Sequence, residues 1–270
     1  MISKLTHSDR ARVLEIVKDI WEGDDYIPEV FDKWVDSQEC YFMGLWKEET
    51  LIGIDNLRKL SPTVGWMEGM RIDPVYQGRG YGRELGREML KLAIAEGFEE
   101  LYFSTYFDNV ESIRLNESFG FERIAVFTNL MLELPEKAPD NCADLEFEES
   151  VPEIRAFFND DWSFIIPDIE DKGQKLQNAF TVRSMKNLAV LSENSKASST
   201  LEINYIELSE DPETFIRAIV RYGVEKGFSE IHTMVRESEK LDPFLKMGFE
   251  PFERTHDVFI YRAIKEKLKI

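Results

Sequence analysis

Three glycines alternate with other residues in Gln77-Gly78-Arg79-Gly80-Tyr81-Gly82, between an apolar strand pattern and an amphipathic helical one. Glycine takes left-handed backbone without a steric penalty, so this run lets the chain turn sharply into a helix. A helix begins with unpaired N–H groups and partial positive charge, which suits a phosphate-bearing ligand. The strand before the turn ends at Asp73-Pro74. Leu85, Met89, Leu92 and Ala93 mark the helix's buried face, and Gly97 closes it. A dinucleotide fingerprint is excluded, because its third glycine would fall on Arg83. No Gly-Lys-Ser/Thr follows for a nucleoside-triphosphate loop. A glycine-rich connection with no ligand is the plainer alternative.

The elements around this turn follow from periodicity. Ile2 to Leu5 reads as a strand, and Thr6 or Ser8 as a cap for a helix carrying Val13, Leu14, Val17 and Ile20, with Trp21 one step on. Gly23-Asp24-Asp25 ends that helix, and Pro28 suits the first turn of a second one with Val30, Phe31, Trp34 and Val35. Tyr41–Trp46 and Leu51–Leu60 form a hairpin, Leu101–Tyr106 a further strand, and Phe121–Leu134 a long last one. Asp108 or Asn109 can cap a short helix ending at Phe119-Gly120.

This order of elements is accompanied by two motifs: Gln77, Gly80 and Gly82 with a basic Arg79, and Asn109, Ser112, Gly120 and Phe121. Together they resemble the GNAT superfamily of acetyl-CoA-dependent N-acyltransferases, over roughly residues 1–134. The resemblance implies an α/β fold (an α+β mixed sheet) in which two parallel strands, here Met67–Ile72 and Leu101–Tyr106, splay apart around the thioester. Backbone groups of Met70, Arg71 and Ile72 would bind the pantetheine arm. The N–H groups from Gly78 through Tyr81 and Gly82 to Arg83 would hold the pyrophosphate, with Arg79 and Arg83 adding charge. Asn109 reads as a ligand contact or a helix cap, and Ser112 as a pantetheine contact or cap.

Glu68 is the candidate general base. On a strand it shares a face with Trp66 and Met70, and apolar flanks are expected to raise its pKa; the plainer reading is a solvated strand glutamate. The tyrosine that relatives carry seven residues beyond the motif asparagine is replaced by Asn116, whose amide is no acid near neutral pH. Tyr106 or water is the substitute proton donor. Gly23 to Pro28 and Trp34, with Glu68 to Ile72, partly resemble the group containing vertebrate histidine N-acetyltransferase. That implies a small-molecule amine, such as an amino acid, with Asp25 and Tyr26 as ammonium contacts. The alternative is that the acidic pair caps the second helix. Other functional readings are an acyl-CoA-binding module without turnover, and acetylation of a protein N-terminus or lysine.

Residues 135–143 read as a linker. Asp144–Glu149 is a strand candidate and Val151–Phe158 a helical one; 168–178 carries no clear pattern, and Ser192–Thr200 is turn-rich. Gly227-Phe228-Ser229-Glu230 repeats Gly97-Phe98-Glu99-Glu100, and Gly248-Phe249-Glu250 repeats Gly120-Phe121-Glu122. Residues 144–270 are therefore expected to be a degenerate GNAT-like second domain. Ser209-Glu210-Asp211-Pro212 stands where the glycine turn would be, and its carboxylates would repel a pyrophosphate.

The net charge of −19, from 52 acidic and 33 basic residues, argues against nucleic acid as a partner. Cys40 and Cys142 form no metal or redox motif. With no apolar run of about 20 residues and no leader pattern, a cytoplasmic monomer or homodimer is expected.

Overall fold

The structure, a computed structural model, describes residues 1–23, 25–176, 178–194 and 197–270, without the side chains of Trp21 and Glu22. Asp24, half of the expected acidic pair, lies outside the described residues, as do Gln177, Ser195, Lys196 and the side chain of Trp21. Two compact units form. One comprises Met1–Phe103, Val110–Arg123 and Tyr261–Ile270; the other comprises Ser104–Asn109 and Ile124–Ile260.

The chain begins β1 (Ile2–Lys4), α1 (Arg10–Val17), α2 (Ile27–Asp36), β2 (Cys40–Lys47), β3 (Thr50–Ser61), β4 (Val64–Ile72), α3 (Tyr81–Ala95), β5 (Glu100–Tyr106), α4 (Val110–Ser118) and β6 (Glu122–Glu133). In the first unit β1 to β4 are antiparallel neighbours and β4 runs parallel to β5. Strand side chains alternate between faces, and the two faces of β3 have different partners. Ile54 packs with Val13, Ile16, Phe31 and Trp34 of α1 and α2, whereas a Cβ on Gly53 would meet Leu85 of α3 at 3.5 Å. The sheet thus lies between the helix pair and α3.

The last residues of the chain complete this unit. Tyr261 stacks on Phe103 (5.1 Å, 10°) and donates its hydroxyl to Glu117 at 3.0 Å. The Lys265 N–H bonds Glu99 O (2.8 Å) and the Lys269 N–H bonds Phe119 O (3.0 Å). Gly120, at φ +97, has the Lys267 carbonyl 2.6 Å from where a Cβ would sit, so that turn admits only glycine.

The alternation along β4 is broken. Asn56 pairs with Glu68 and Ile54 with Arg71, so Gly69 and Met70 together oppose Asp55. This is a β-bulge. Gly69 has φ +77, and a Cβ there would lie 2.8 Å from Trp34 Cη2 and 3.1 Å from Ile27 Cδ1. Gly69→Ala is expected to cost about 1–3 kcal/mol through left-handed strain and overpacking, read as a lower denaturation midpoint. An unchanged midpoint would show that the bulge relaxes without loss.

The second unit adds β7 (Glu146–Glu148), β8 (Phe158–Asp160), β9 (Ser163–Ile165), α5 (Lys172–Lys175), β10 (Phe180–Ser184), β11 (Asn187–Glu193), β12 (Thr200–Glu207), α6 (Pro212–Lys226), β13 (Glu230–Arg236), α7 (Asp242–Lys246), β14 (Glu250–Pro251) and β15 (Val258–Ile264). The strands β6, β13, β12, β11, β10 and β7 are successive neighbours, and α6 and α7 cover one face through Phe215, Ile219 and Phe244. The helix expected over Val151–Phe158 is absent. The segment is irregular and enters β8, where Phe158 stacks on Tyr205 (4.9 Å, 11°) and Phe157 packs edge-on against Phe127. Burying two consecutive aromatics against different partners requires extended backbone, and this outweighs a weak helical spacing.

The parallel ladders of the two units begin at matching points of the sequence repeat. Val64 pairs with Glu100 and Thr200 with Glu230. By that register Glu202 and Asn204 stand at the positions of Trp66 and Glu68.

Candidate functional site

The β4–β5 ladder stops at Trp66–Tyr102. From Met67 to Ile72, β4 keeps β3 as its partner and has none from β5 among the described residues. One backbone edge at Met70, Arg71 and Ile72 is therefore not used by the sheet. Such an edge is where an extended chain with amide groups can add hydrogen bonds.

Asp73 ends the strand, accepting from the Val75 N–H (2.9 Å) and pairing with Arg12. A 3-10 turn follows, and Gln77 Nε2 donates back to Ile72 O at 2.9 Å. Gln77 therefore braces the loop. Gly78 and Gly80 have φ +71 and +83, and a Cβ on either would meet nothing within 4 Å, so the outer side of the turn is open. The first helical bond of α3 is Glu84 N–H to Gly80 O (3.0 Å). The N–H groups of Tyr81, Gly82 and Arg83 precede it, and these are the donors that a helix start leaves unpaired.

Arg79 lies over Tyr76 (5.8 Å) at the exposed turn, and Arg83 reaches Ser118 Oγ (3.0 Å) over Phe119 (5.6 Å). Three donors, a dipole and two cations at one open turn fit a pyrophosphate. Lys47 pairs with Glu84 (2.8 Å) behind it, which removes that carboxylate's charge from the first helical turn.

Glu68 and Met70 part company at the bulge. Met70 points to the α3 face, its Cε 3.4 Å from where a Gly86 Cβ would be. Arg71, opposite Ile54, takes the face Glu68 occupies. Of the apolar flank expected around Glu68, Trp66 keeps the same face and Met70 is lost to the other, while polar cross-strand neighbours lie opposite. Asn56 Nδ2 donates to Glu68 Oε1 at 3.5 Å, and Arg58 Nε lies 3.3 Å from the same oxygen. The Glu68 side chain is 8% exposed. Neither Asn56 nor Arg58 was foreseeable without the strand register.

Asp25 caps α2 by accepting from the Ile27 N–H (2.9 Å), and its other oxygen takes Arg71 Nε at 2.7 Å. Tyr26 faces this guanidinium (5.8 Å) and meets Trp34 edge-on (6.0 Å). Glu68, Arg71, Asp25 and Tyr26 are therefore gathered in the first unit. Asp55, beneath the bulge, is buried, and desolvation holds its carboxyl well above the usual range.

Ser112 lies on α4, where its carbonyl accepts from Asn116 Nδ2 at 3.0 Å. Asn116 thus serves the helix itself. Asn109 immediately precedes α4 and belongs, with Tyr106, to the second unit. There Tyr106 packs with Phe107 (4.7 Å), Trp162 and Phe252, and desolvation followed by the Glu253 carboxylate pushes its hydroxyl far above the ordinary phenol pKa. Among the described residues no cluster of His, Cys, Asp or Glu is arranged to hold a metal, and no helix is long and apolar enough to cross a membrane.

Residues 10–121 match the model of the acetyltransferase (GNAT) family. N-alpha-acetyltransferase RimI of Mycobacterium tuberculosis is 31% identical over 129 residues, which are 46% of this chain and 80% of RimI. Spermine/spermidine N(1)-acetyltransferase of Bacillus subtilis is 29% identical over 99 residues, 32% of this chain and 64% of that enzyme. A solved structure from Thermoplasma acidophilum shares the fold at 16% identity with a TM-score of 0.70, covering 98% of this chain and 99% of that one.

Proposed function

The chain belongs to the acetyltransferase (GNAT) family, whose members use acetyl-CoA, and from that premise we propose that it acetylates the primary amine of a small molecule with Glu68 as general base. The observation that carries this reading is the break in β4. One stretch of strand presents a backbone edge from Met67 to Ile72 that has no strand partner on the β5 side among the described residues, a partly buried carboxylate at Glu68, and an open glycine turn just beyond its end.

Acetyl-CoA supplies the acyl group as a reactive thioester. Gly78 to Arg83 bind its pyrophosphate, and the edge at Met70–Ile72 aligns its amide-bearing arm. Glu68 withdraws a proton from the amine as the nitrogen forms its new bond to the acyl carbon. The departing sulfur takes its proton from water as the carbon–sulfur bond breaks. The chain from residue 144, apart from Tyr261–Ile270, which join the first unit, acts as a GNAT-like domain without a cofactor of its own. Two features support this: the matching start of the β12–β13 ladder, and Glu210 and Asp211 at the head of α6, where Ser209 and Glu210 are tied to Asn187.

Thiol release from acetyl-CoA, measured with free amino acids, polyamines and peptides bearing free N-termini, tests the proposal. Release with a free small amine is expected. Release with peptides alone would move the acceptor to protein N-termini, as the RimI relative's name suggests. CoA binding without release for any amine would overturn the catalytic reading in favour of a binding module.

A further inference from the structure

In a regular strand, residues three apart point to opposite faces. The bulge at Gly69–Met70 changes this, bringing Arg71 to the face of Glu68 and, in effect, about 7 Å away along the strand. Its guanidinium is held on two sides. Nε donates to Asp25 Oδ2 (2.7 Å), Nη1 donates to Met70 O (3.0 Å), and the group lies over Tyr26. The Nη2 donors have no protein partner among the described residues, and the side chain keeps 16% of its surface exposed. Asp25 is 1% exposed and held by the Ile27 N–H. It therefore fixes Arg71 and is not itself an open anion.

Among the described residues, charges on this face pair off: Glu68 with Arg58, and Asp25 with Arg71. A polyamine would bring a second ammonium towards a guanidinium and gain nothing there. A carboxylate matches the planar fork of an arginine already fixed by other groups, so little entropy is lost on binding.

We propose that the acceptor is an amine that also carries a carboxylate, a free α-amino acid, and that Arg71 binds this carboxylate through its Nη2 edge. The amine is then presented to Glu68. The inference rests on the reading of Glu68 as the base, and makes Arg71 the specificity-determining residue.

The test compares each L-amino acid with its own α-carboxamide, which keeps the amine and removes the charge. For the best acceptor, kcat/KM should fall about 10- to 100-fold in the amide. Arg71→Lys, which keeps a cation beside Asp25, should narrow that ratio about 10-fold while CoA affinity stays unchanged. Equal kcat/KM for acid and amide, or a preference for polyamines, would overturn the proposal.

If no amine of any kind releases thiol, catalysis fails separately and binding decides the question. N-acetyl-amino acids and their amides are then titrated into the CoA-bound protein. Carboxylate-selective binding that Arg71→Lys abolishes supports the assignment, and equal or absent binding of the two overturns it.

Discussion

Glu68→Gln is expected to lower kcat with the best amine about 10²- to 10⁴-fold while leaving CoA affinity unchanged. Glutamine keeps the size of the side chain, and its carbonyl still accepts from Asn56, which donates to Glu68 at 3.5 Å, while the Arg58 guanidinium, 3.3 Å away, loses its ion-pair partner. Glutamine has no basic lone pair near neutral pH, so proton removal is lost. On the proposed reading CoA is held by the turn from Gly78 to Arg83, ten or more residues further along the chain, and by backbone edges that the substitution does not touch.

The residual rate of Glu68→Gln should rise with pH towards the pKa of the amine itself, because solvent then removes the proton that Glu68 removed. A thermal melt separates loss of chemistry from loss of fold, since Arg58 would face an amide in place of a carboxylate. An unchanged kcat in a folded variant removes Glu68 from the mechanism.

The glycine turn was legible because its conformation is encoded locally. Gly78 and Gly80 need positive φ, and the helix that follows has its own apolar periodicity. The order of elements in residues 1–134 followed from the same local rules. The bulge was not legible. A single glycine inside a strand pattern signals one, but the reason for Gly69 is Trp34, 35 residues earlier, pressed against the backbone. The face that Arg71 occupies follows only from that event, as does the polar surrounding of Glu68.

The irregular course of Val151–Phe158 likewise depends on Tyr205 and Phe127, which no local window includes. In the second unit, single polar residues spread from Asn129 to His232 looked unremarkable in the sequence. Folding gathers them under the β8–β9 hairpin into one buried network.

Breaking that network has the second large effect. His232 donates to Glu202 (2.8 Å) through Nδ1 and meets Asn129 Oδ1 (2.7 Å) through Nε2, while Glu202 also accepts from Asn194 (2.8 Å) and Asn159. Both members of the pair are buried. Burial opposes a charged imidazole, but the charge of Glu202 and its hydrogen bond outweigh this and raise His232 to about 9. Glu202→Ala removes the counter-charge and leaves His232, Asn194 and Asn159 short of a buried acceptor. A loss of about 3–5 kcal/mol in unfolding free energy is expected.

The pair also fixes the sign of a pH dependence. The folded-state pKa of His232 lies above the unfolded value near 6.5, so its contribution is complete below about pH 6.5 and is lost as pH rises through about 9. Across that window the folded chain holds a proton that the unfolded chain has released. Stability should therefore fall across that window. Urea midpoints of the wild type measured from pH 6 to 9.5 should show this decline, and Glu202→Gln, which removes the charge that holds the proton, should flatten it. A wild-type midpoint that does not change over that range would mean that His232 is neutral in the folded protein.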